Sequence, residues 1–471
     1  MDRYRNENET DRLLYGWLWL AVFSLVFAGI FAFMVAMART PVIEDFLPLG
    51  RDYIYVALVG HVDMAVVIWF LAFEGFLLTL TSTRNVGMTL WSASLGWISL
   101  AIAFAGMFLV GFSALFGMGK GIIVNYIPLL SAPTFYAGVL LFALGISLNL
   151  LNTFGTLIKA KLTGKTLPSV TFGMACAGIA VAAAFICFAI AGYSLSALHE
   201  PIWDYERFFW GGGHMLQFAN TIAMATAWVY LARLLLSREP LSAGVSKLLF
   251  LIYILFILPA PFIYILQDIN SPGYKAGFTA LMQWGLGPST AVFILATLGL
   301  ALRNGKSWKD PAFSSLMLSM AIFVLGGIIA LTIRGTNTKI PAHYHCVIGA
   351  VTIAFMGLFY EIIPAFKKAL WSKKMASVQP WLYTLGIVLF AVGLFIAGEH
   401  GVARKTYGAA QNLNSMGKII GMSIMGVGGL VAIAGGITFV LNALLTLLGR
   451  PGTALEKAST IGDWTESTSA R

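Results

Sequence analysis

Ile340-Pro-Ala-His343-Tyr-His345-Cys-Val-Ile-Gly-Ala350-Val-Thr-Ile-Ala-Phe-Met-Gly-Leu-Phe-Tyr360-Glu-Ile-Ile-Pro364 is the stretch on which the reading of this chain turns. It is apolar over a length that matches the ~20 residues a helix needs to cross a bilayer. Two histidines stand near its start, and an ionisable side chain within such a segment marks a functional site by default. Residues two apart on an α-helix point about 200° from each other. His343 and His345 therefore cannot chelate one ion, but each can hold a separate group on its own face of the helix. Two haems flanking one helix would use this arrangement, because each iron takes an axial imidazole.

The rest of the chain is built in the same manner. Of its 471 residues 59% are hydrophobic and only 11% charged, against roughly a quarter charged in soluble domains. Apolar segments fall near 13–38, 53–82, 87–115, 134–158, 168–195, 205–235, 245–267, 275–302, 312–333, 340–366, 379–403 and 416–448. These predict an all-α membrane protein of about twelve transmembrane helices, a single domain over 1–449 with a short polar tail over 450–471. The 49 glycines suit membrane helices that approach closely. A formal charge of +10 follows from topology, not from nucleic-acid binding. Even-numbered loops carry Arg84, Lys159, Lys161, Lys165, Arg233, Arg238, Lys247, Arg303, Lys306, Lys309, Lys367, Lys368, Lys373 and Lys374. Odd-numbered loops hold most of the acids, Glu44, Asp45, Glu200, Asp204, Glu206, Asp268 and Glu399. By the positive-inside rule both termini are expected in the cytoplasm of a bacterial or archaeal cell, with the chain in its inner membrane. The N-terminal residues lack the pattern of a cleaved signal peptide.

Six histidines occur, and His61, His214, His343 and His345 fall inside spans. Spans two, six and ten enter from the same side, so the four share one depth. Any one of them alone could be a hydrogen-bonded interhelical histidine; together they read as a ligand layer. The three cysteines, Cys176, Cys187 and Cys346, include no C-x-x-C-H motif, which excludes covalent c-type haem. Arg404 and Lys405 are expected to end span eleven, as interfacial anchors or as cations for haem propionates. His199 and His400, beside Glu200 and Glu399, read as solvated loop residues or partner contacts. Glu74 and Glu361 are intramembrane acids able to relay protons or to serve as paired structural groups.

With these motifs in place the chain resembles subunit I of the haem–copper oxidases, and particularly the B-type branch. The Pro-Ala-His-Tyr-His segment is similar to the family's tenth helix. The resemblance implies that His343 binds a high-spin haem and His345 a low-spin haem of b or a type. Leu58-Val-Gly-His61 is similar to the second-helix motif, which makes His61 the other low-spin ligand. Ala403-Arg404-Lys405 is similar to the basic pair that meets the propionates. Phe208-Phe-Trp-Gly-Gly-Gly-His214 is similar to the sixth-helix segment that supplies one copper ligand. The family's other copper histidines, an adjacent pair on the seventh helix, are replaced by Ile263-Tyr264, and Phe218 stands where oxidases place a cross-linked tyrosine.

One imidazole and a phenol make a poor cage for Cu(II), so copper is expected to be absent. The leading expectation is a haem-bearing respiratory redox subunit, fed by a periplasmic-side cytochrome or copper protein or by a quinol. A second is a terminal oxidase or nitric oxide reductase in which His214 and Tyr264 help hold an unusual metal. A third is a transporter that kept the fold without redox work.

Overall fold

The computed structural model describes residues 2–41, 50–199 and 203–449, the side chains of 2–8 and 51 excepted. Glu44, Asp45, Glu200 and the tail from 450 onward lie outside the described residues. Among the described residues twelve helical spans are long and apolar enough to cross a membrane. In order they are α1 (Asp2–Arg39); α2 (Arg51–Val62), which continues through a π-helical turn (Asp63–Ile68) into α3 (Trp69–Thr83); α4 (Ala93–Leu115); α5 (Pro133–Leu162); α6 (Ser169–Ala197); and α7 (Tyr205–Leu236). The seventh span is divided into α8 (Ala243–Ile257) and α9 (Ala260–Leu266), because Pro259 cannot donate to the helix ladder. Then come α10 (Pro272–Asn304), α11 (Pro311–Ala330), α12 (Lys339–Ile362), α13 (Lys373–Glu399) and α14 (Met416–Leu448).

Three spans make the centre. The most apolar windows of the second, sixth and tenth spans are 67%, 78% and 83% buried, and no other span exceeds 56%. These are the spans that carry the four membrane histidines. Around them the outer helices show apolar side chains such as Leu140, Leu255 and Leu295 to lipid.

Two helix entries are built from one device. Ser92 caps α4 by accepting from Leu95 N, while Asn152 on α5 clasps its backbone: Ser92 N donates to Asn152 Oδ1 and Asn152 Nδ2 to Ser92 O, both at 2.9 Å. Trp91 N donates to Thr156 Oγ1 at 2.8 Å. The same Leu-Trp-Ser and Asn-x-x-x-Thr recur at the start of α13. There Ser372 caps Met375 N, Asn442 on α14 clasps Ser372, and Trp371 N donates to Thr446 Oγ1 at 2.9 Å. Backbone groups at a helix start have no intrahelical partner, and near a membrane they must be satisfied by protein. The pairs α4/α5 and α13/α14 lie close for a second reason. A Cβ at Gly393 would stand 2.2 Å from Met425 N, and one at Gly428 2.2 Å from Phe390 N, so only glycine permits the backbone contact.

The end of span eleven departs from expectation. α13 starts at Lys373, upstream of the 379 expected, because Pro380 is accommodated inside the helix. It stops at Glu399, where His400 caps it and Gly401 turns left-handed at φ 82°. Arg404 and Lys405 consequently sit in the loop beyond the helix, not at its end. That loop is held by a bridge between Asn337 and Ala403 and by Thr338 N donating to Val402 O at 3.1 Å.

Candidate functional site

The histidines of the second and tenth spans are each fixed by a backbone carbonyl. His61 Nδ1 lies 3.1 Å from Ala28 O of α1, His345 Nδ1 lies 2.7 Å from Pro341 O one turn earlier, and His343 Nδ1 lies 2.8 Å from Gly326 O of α11. A carbonyl accepts only, so in all three rings Nδ1 carries the proton and Nε2 keeps a free lone pair. This is how metal-ligating imidazoles are oriented by their outer partners. His345 is flanked by Tyr344 and by Phe390 of α13, with ring centroids at 4.7 and 4.6 Å. It lies within electrostatic reach of His61 and of Arg39, so α2 and α12 bring these two histidines into one neighbourhood. His343, on the other face, turns towards α11.

Arg39 is a residue that the sequence reading passed over. It ends α1 half-buried, within electrostatic reach of Tyr344, and its buried Nε and Nη2 have no hydrogen-bond acceptor among the described residues. Two buried donors of a cation without an acceptor are costly and fit a site that receives an anionic or oxygen-bearing group. Arg404 lies within reach of both Tyr344 and Tyr126. Lys405 donates to Asn125 Oδ1 at 3.1 Å, and Asn125 N donates to Glu206 at 2.8 Å. Burial, then the adjacent Arg404, holds the Lys405 ammonium below its usual range, with Glu206 acting against them. Lys405 also lines an open cleft of about 360 Å³ together with Tyr55, Gly121 and Ile123.

His214 has quite different surroundings. It is 1% exposed, and its Nδ1 lies 2.7 Å from Trp210 O. The hydroxyl of Tyr126 stands 3.0 Å from Nδ1 and 3.1 Å from Nε2. Tyr126 arrives on the hairpin between α4 and α5 and adopts a left-handed φ of 69°, a conformation a tyrosine keeps only when its surroundings enforce it. Gly213 makes room for it, since a Cβ there would lie 2.2 Å from Tyr126 Cγ. Burial, then the Glu206 carboxylate, pushes the Tyr126 phenol up, against the pull of Arg404. Tyr264 does not join this pair by any hydrogen bond. Its hydroxyl lies 3.4 Å from that of Tyr274, and its ring and that of His214 both pack against Phe278, with centroids at 5.4 and 5.9 Å.

Of the remaining groups, His199 is exposed with Nδ1 on Ala197 O, and His400 lies against Gly417. Glu399 pairs with Lys339 at 2.5 Å. All three cysteines are buried and free. Glu361 is the penultimate residue of α12 and half-buried, whereas Glu74 is 1% exposed.

Comparison with known proteins agrees with this architecture. The family model for cytochrome c and quinol oxidase polypeptide I matches residues 12–443. An uncharacterized protein of Aquifex aeolicus is 31% identical over 73% of this chain and 83% of its own, and one of Rickettsia prowazekii 28% identical over 96% and 99%. Cytochrome c oxidase subunit 1 of Thermus thermophilus is 25% identical over 78% of this chain and 71% of its own. Among solved structures, a haem–copper terminal oxidase dimer superposes with a TM-score of 0.74 at 16% identity, over 97% of this chain and 90% of that one, a likeness of fold. The chain, a multi-pass membrane protein, belongs to the family of cytochrome c and quinol oxidase polypeptide I, the haem–copper oxidase subunit I family.

Proposed function

We propose that this chain is a haem-bearing electron-transfer subunit that holds two non-covalent haems of b or a type and no copper. His61 and His345 would hold the low-spin haem and His343 the second haem, with His214 on the sixth span as the remaining membrane histidine. The observation that carries the reading is the common state of the three imidazoles: each has Nδ1 tied to a carbonyl and Nε2 free, in the most buried spans of the bundle. The orphaned donors of Arg39 add to the fit, because haem brings carboxylates and ring substituents that accept hydrogen bonds. When bound, the haems supply one-electron chemistry and, at the second iron, a coordination position for a diatomic ligand.

The protein's own residues do the rest. Ala28 O, Pro341 O and Gly326 O select the tautomer, Phe390 and Tyr344 fix the His345 ring, and Arg39, Arg404 and Lys405 supply cations for acidic substituents. Electrons enter from a cytochrome, a copper protein or a quinol on the side of the odd-numbered loops. That side is periplasmic and both termini are cytoplasmic, as the lysine and arginine distribution supports.

Copper does not fit the residues around His214. Both ring nitrogens are within hydrogen-bond distance of other groups, Tyr264 is directed to Tyr274, and Ile263 offers no donor. No step is therefore assigned to copper. Purified His343→Ala and His345→Ala proteins test the haem assignment by reduced-minus-oxidised and carbon monoxide difference spectra. His343→Ala should lose the carbon monoxide response and keep the low-spin bands, and His345→Ala should lose the low-spin bands. Unaltered spectra in both variants would contradict the assignment.

A further inference from the structure

We propose that Glu74 is a proton-binding site in the membrane core, bridged by one water to Asn149 and supplied along the seam between α3 and α5. The proposal goes beyond the haem reading and does not rest on it.

Glu74 stands in α3 about 20 Å along the span from His61, at 1.5 Å per residue. Its side chain is 1% exposed, and neither carboxyl oxygen has a hydrogen-bond partner among the described residues. An ionised carboxylate in that state is strongly disfavoured in a low-dielectric interior, so the side chain rests in its protonated form. The group also does not face a sealed apolar wall. It lines a cavity of about 10 Å³ together with Leu71, Gly75, Leu78, Ile146, Asn149, Leu150 and Val181. That volume is about what one water needs, provided polar partners are present.

Two partners are present, and they come from two helices. The cavity lining contains no ionisable group besides Glu74 from α3, α5 or α6. Asn149 of α5 is fixed in place, with Nδ2 donating to Gly75 O at 3.2 Å and Oδ1 accepting from Thr79 at 3.2 Å. Each of those bonds leaves the amide one further donor hydrogen and one further lone pair. A water between Asn149 and Glu74 can accept from the acid and exchange its proton.

Beyond Asn149, in the direction of the Lys/Arg-rich loops, buried polar side chains continue on the same seam. They are Thr79 and Thr83 on α3 and Thr153 on α5, whereas Asn152 and Thr156 of α5 are engaged with Ser92 and Trp91 at the start of α4. Most of these hydroxyls donate to their own helix, as Thr83 does to Thr79 O at 2.6 Å and Thr153 to Asn149 O at 2.8 Å. They keep lone pairs available to passing water but are not a preformed wire. Asn149 is thus the contact through which Glu74 meets the polar side of the seam.

The test is infrared spectroscopy on the purified full-length chain near neutral pH, in H2O and after transfer to D2O. The wild type should show a protonated-carboxyl C=O band that Glu74→Gln lacks, and that band should shift down in D2O. Asn149→Leu should keep the band and slow its shift at least tenfold, with Thr79→Val, which leaves the amide in place but removes its hydroxyl partner, slowing it less. Three results would each overturn the proposal. They are the absence of any carboxyl difference between wild type and Glu74→Gln, a wild-type band that never moves in D2O, or an exchange rate unchanged in Asn149→Leu.

Discussion

An imidazole inside a membrane bundle is defined by what holds its second nitrogen, and here the four histidines divide on that criterion. His61, His343 and His345 each give Nδ1 to a carbonyl and keep Nε2 free, whereas His214 shares its nitrogens with Trp210 O and Tyr126. These histidines were legible in the sequence, because a histidine in an apolar run is conspicuous. Arg39 and Tyr126 were not. An arginine closing an apolar run is ordinarily an interfacial anchor, and a loop tyrosine gives no sign of folding back onto a helix. If Arg39 faces the low-spin haem, Arg39→Met removes a cation beside it and should lower its midpoint potential by on the order of tens of millivolts. A redox titration checks this, and an unchanged potential would place Arg39 away from the haem. Lys405 gives a pH prediction. Its ammonium is held below the usual 10.5, so charging it opposes folding, and the penalty fades as pH rises from the folded value towards 10.5. Stability of the protein should climb over that alkaline window, and Lys405→Met should flatten the climb in melting curves taken across it.

At the level of elements, most spans agree with their hydropathy, and the departures have local causes. Pro259 divides the seventh span, Pro380 is absorbed within α13, and Gly401 ends that helix before Arg404. Hydropathy averages over such single residues and so misplaces ends. The paired Asn clasps were equally hidden, because their meaning lies in contacts across 60 and 70 positions. Asn442→Leu would strand the Ser372 N–H and C=O, at about 1–3 kcal/mol for each buried group. Thr384 Oγ1 has no hydrogen-bond partner among the described residues, so Thr384→Val should be close to neutral, and comparing the two melting temperatures tests the clasp. Asp204 starts α7 by accepting from Arg207 N at 3.0 Å and Arg207 Nε at 2.7 Å. Burial works against its charge, but those bonds prevail and leave its carboxyl below the usual range. Its stabilisation is present above the unfolded value and fades as pH falls through the folded one. Asp204→Ala should cost about 1 kcal/mol, a typical helix-cap loss, and the deficit relative to wild type should shrink in acid.

For the whole molecule, the three histidine-bearing spans are the most buried of the twelve, so the bundle is arranged around its candidate ligands. That arrangement was only half visible beforehand: composition and hydropathy gave the bundle and the membrane histidines, while the surroundings of His214 required the hairpin carrying Tyr126. The central claim is a two-haem, copper-free centre within a fold whose relatives include an oxidase. The most direct measurement is a joint optical and elemental analysis of the purified protein, with haem, iron and copper counted per chain and carbon monoxide difference spectra recorded. The account predicts two irons, both as haem, one of them reactive towards carbon monoxide, and no copper. A stoichiometric copper or a third iron would contradict the reading of His214, and a protein without haem would contradict the account as a whole.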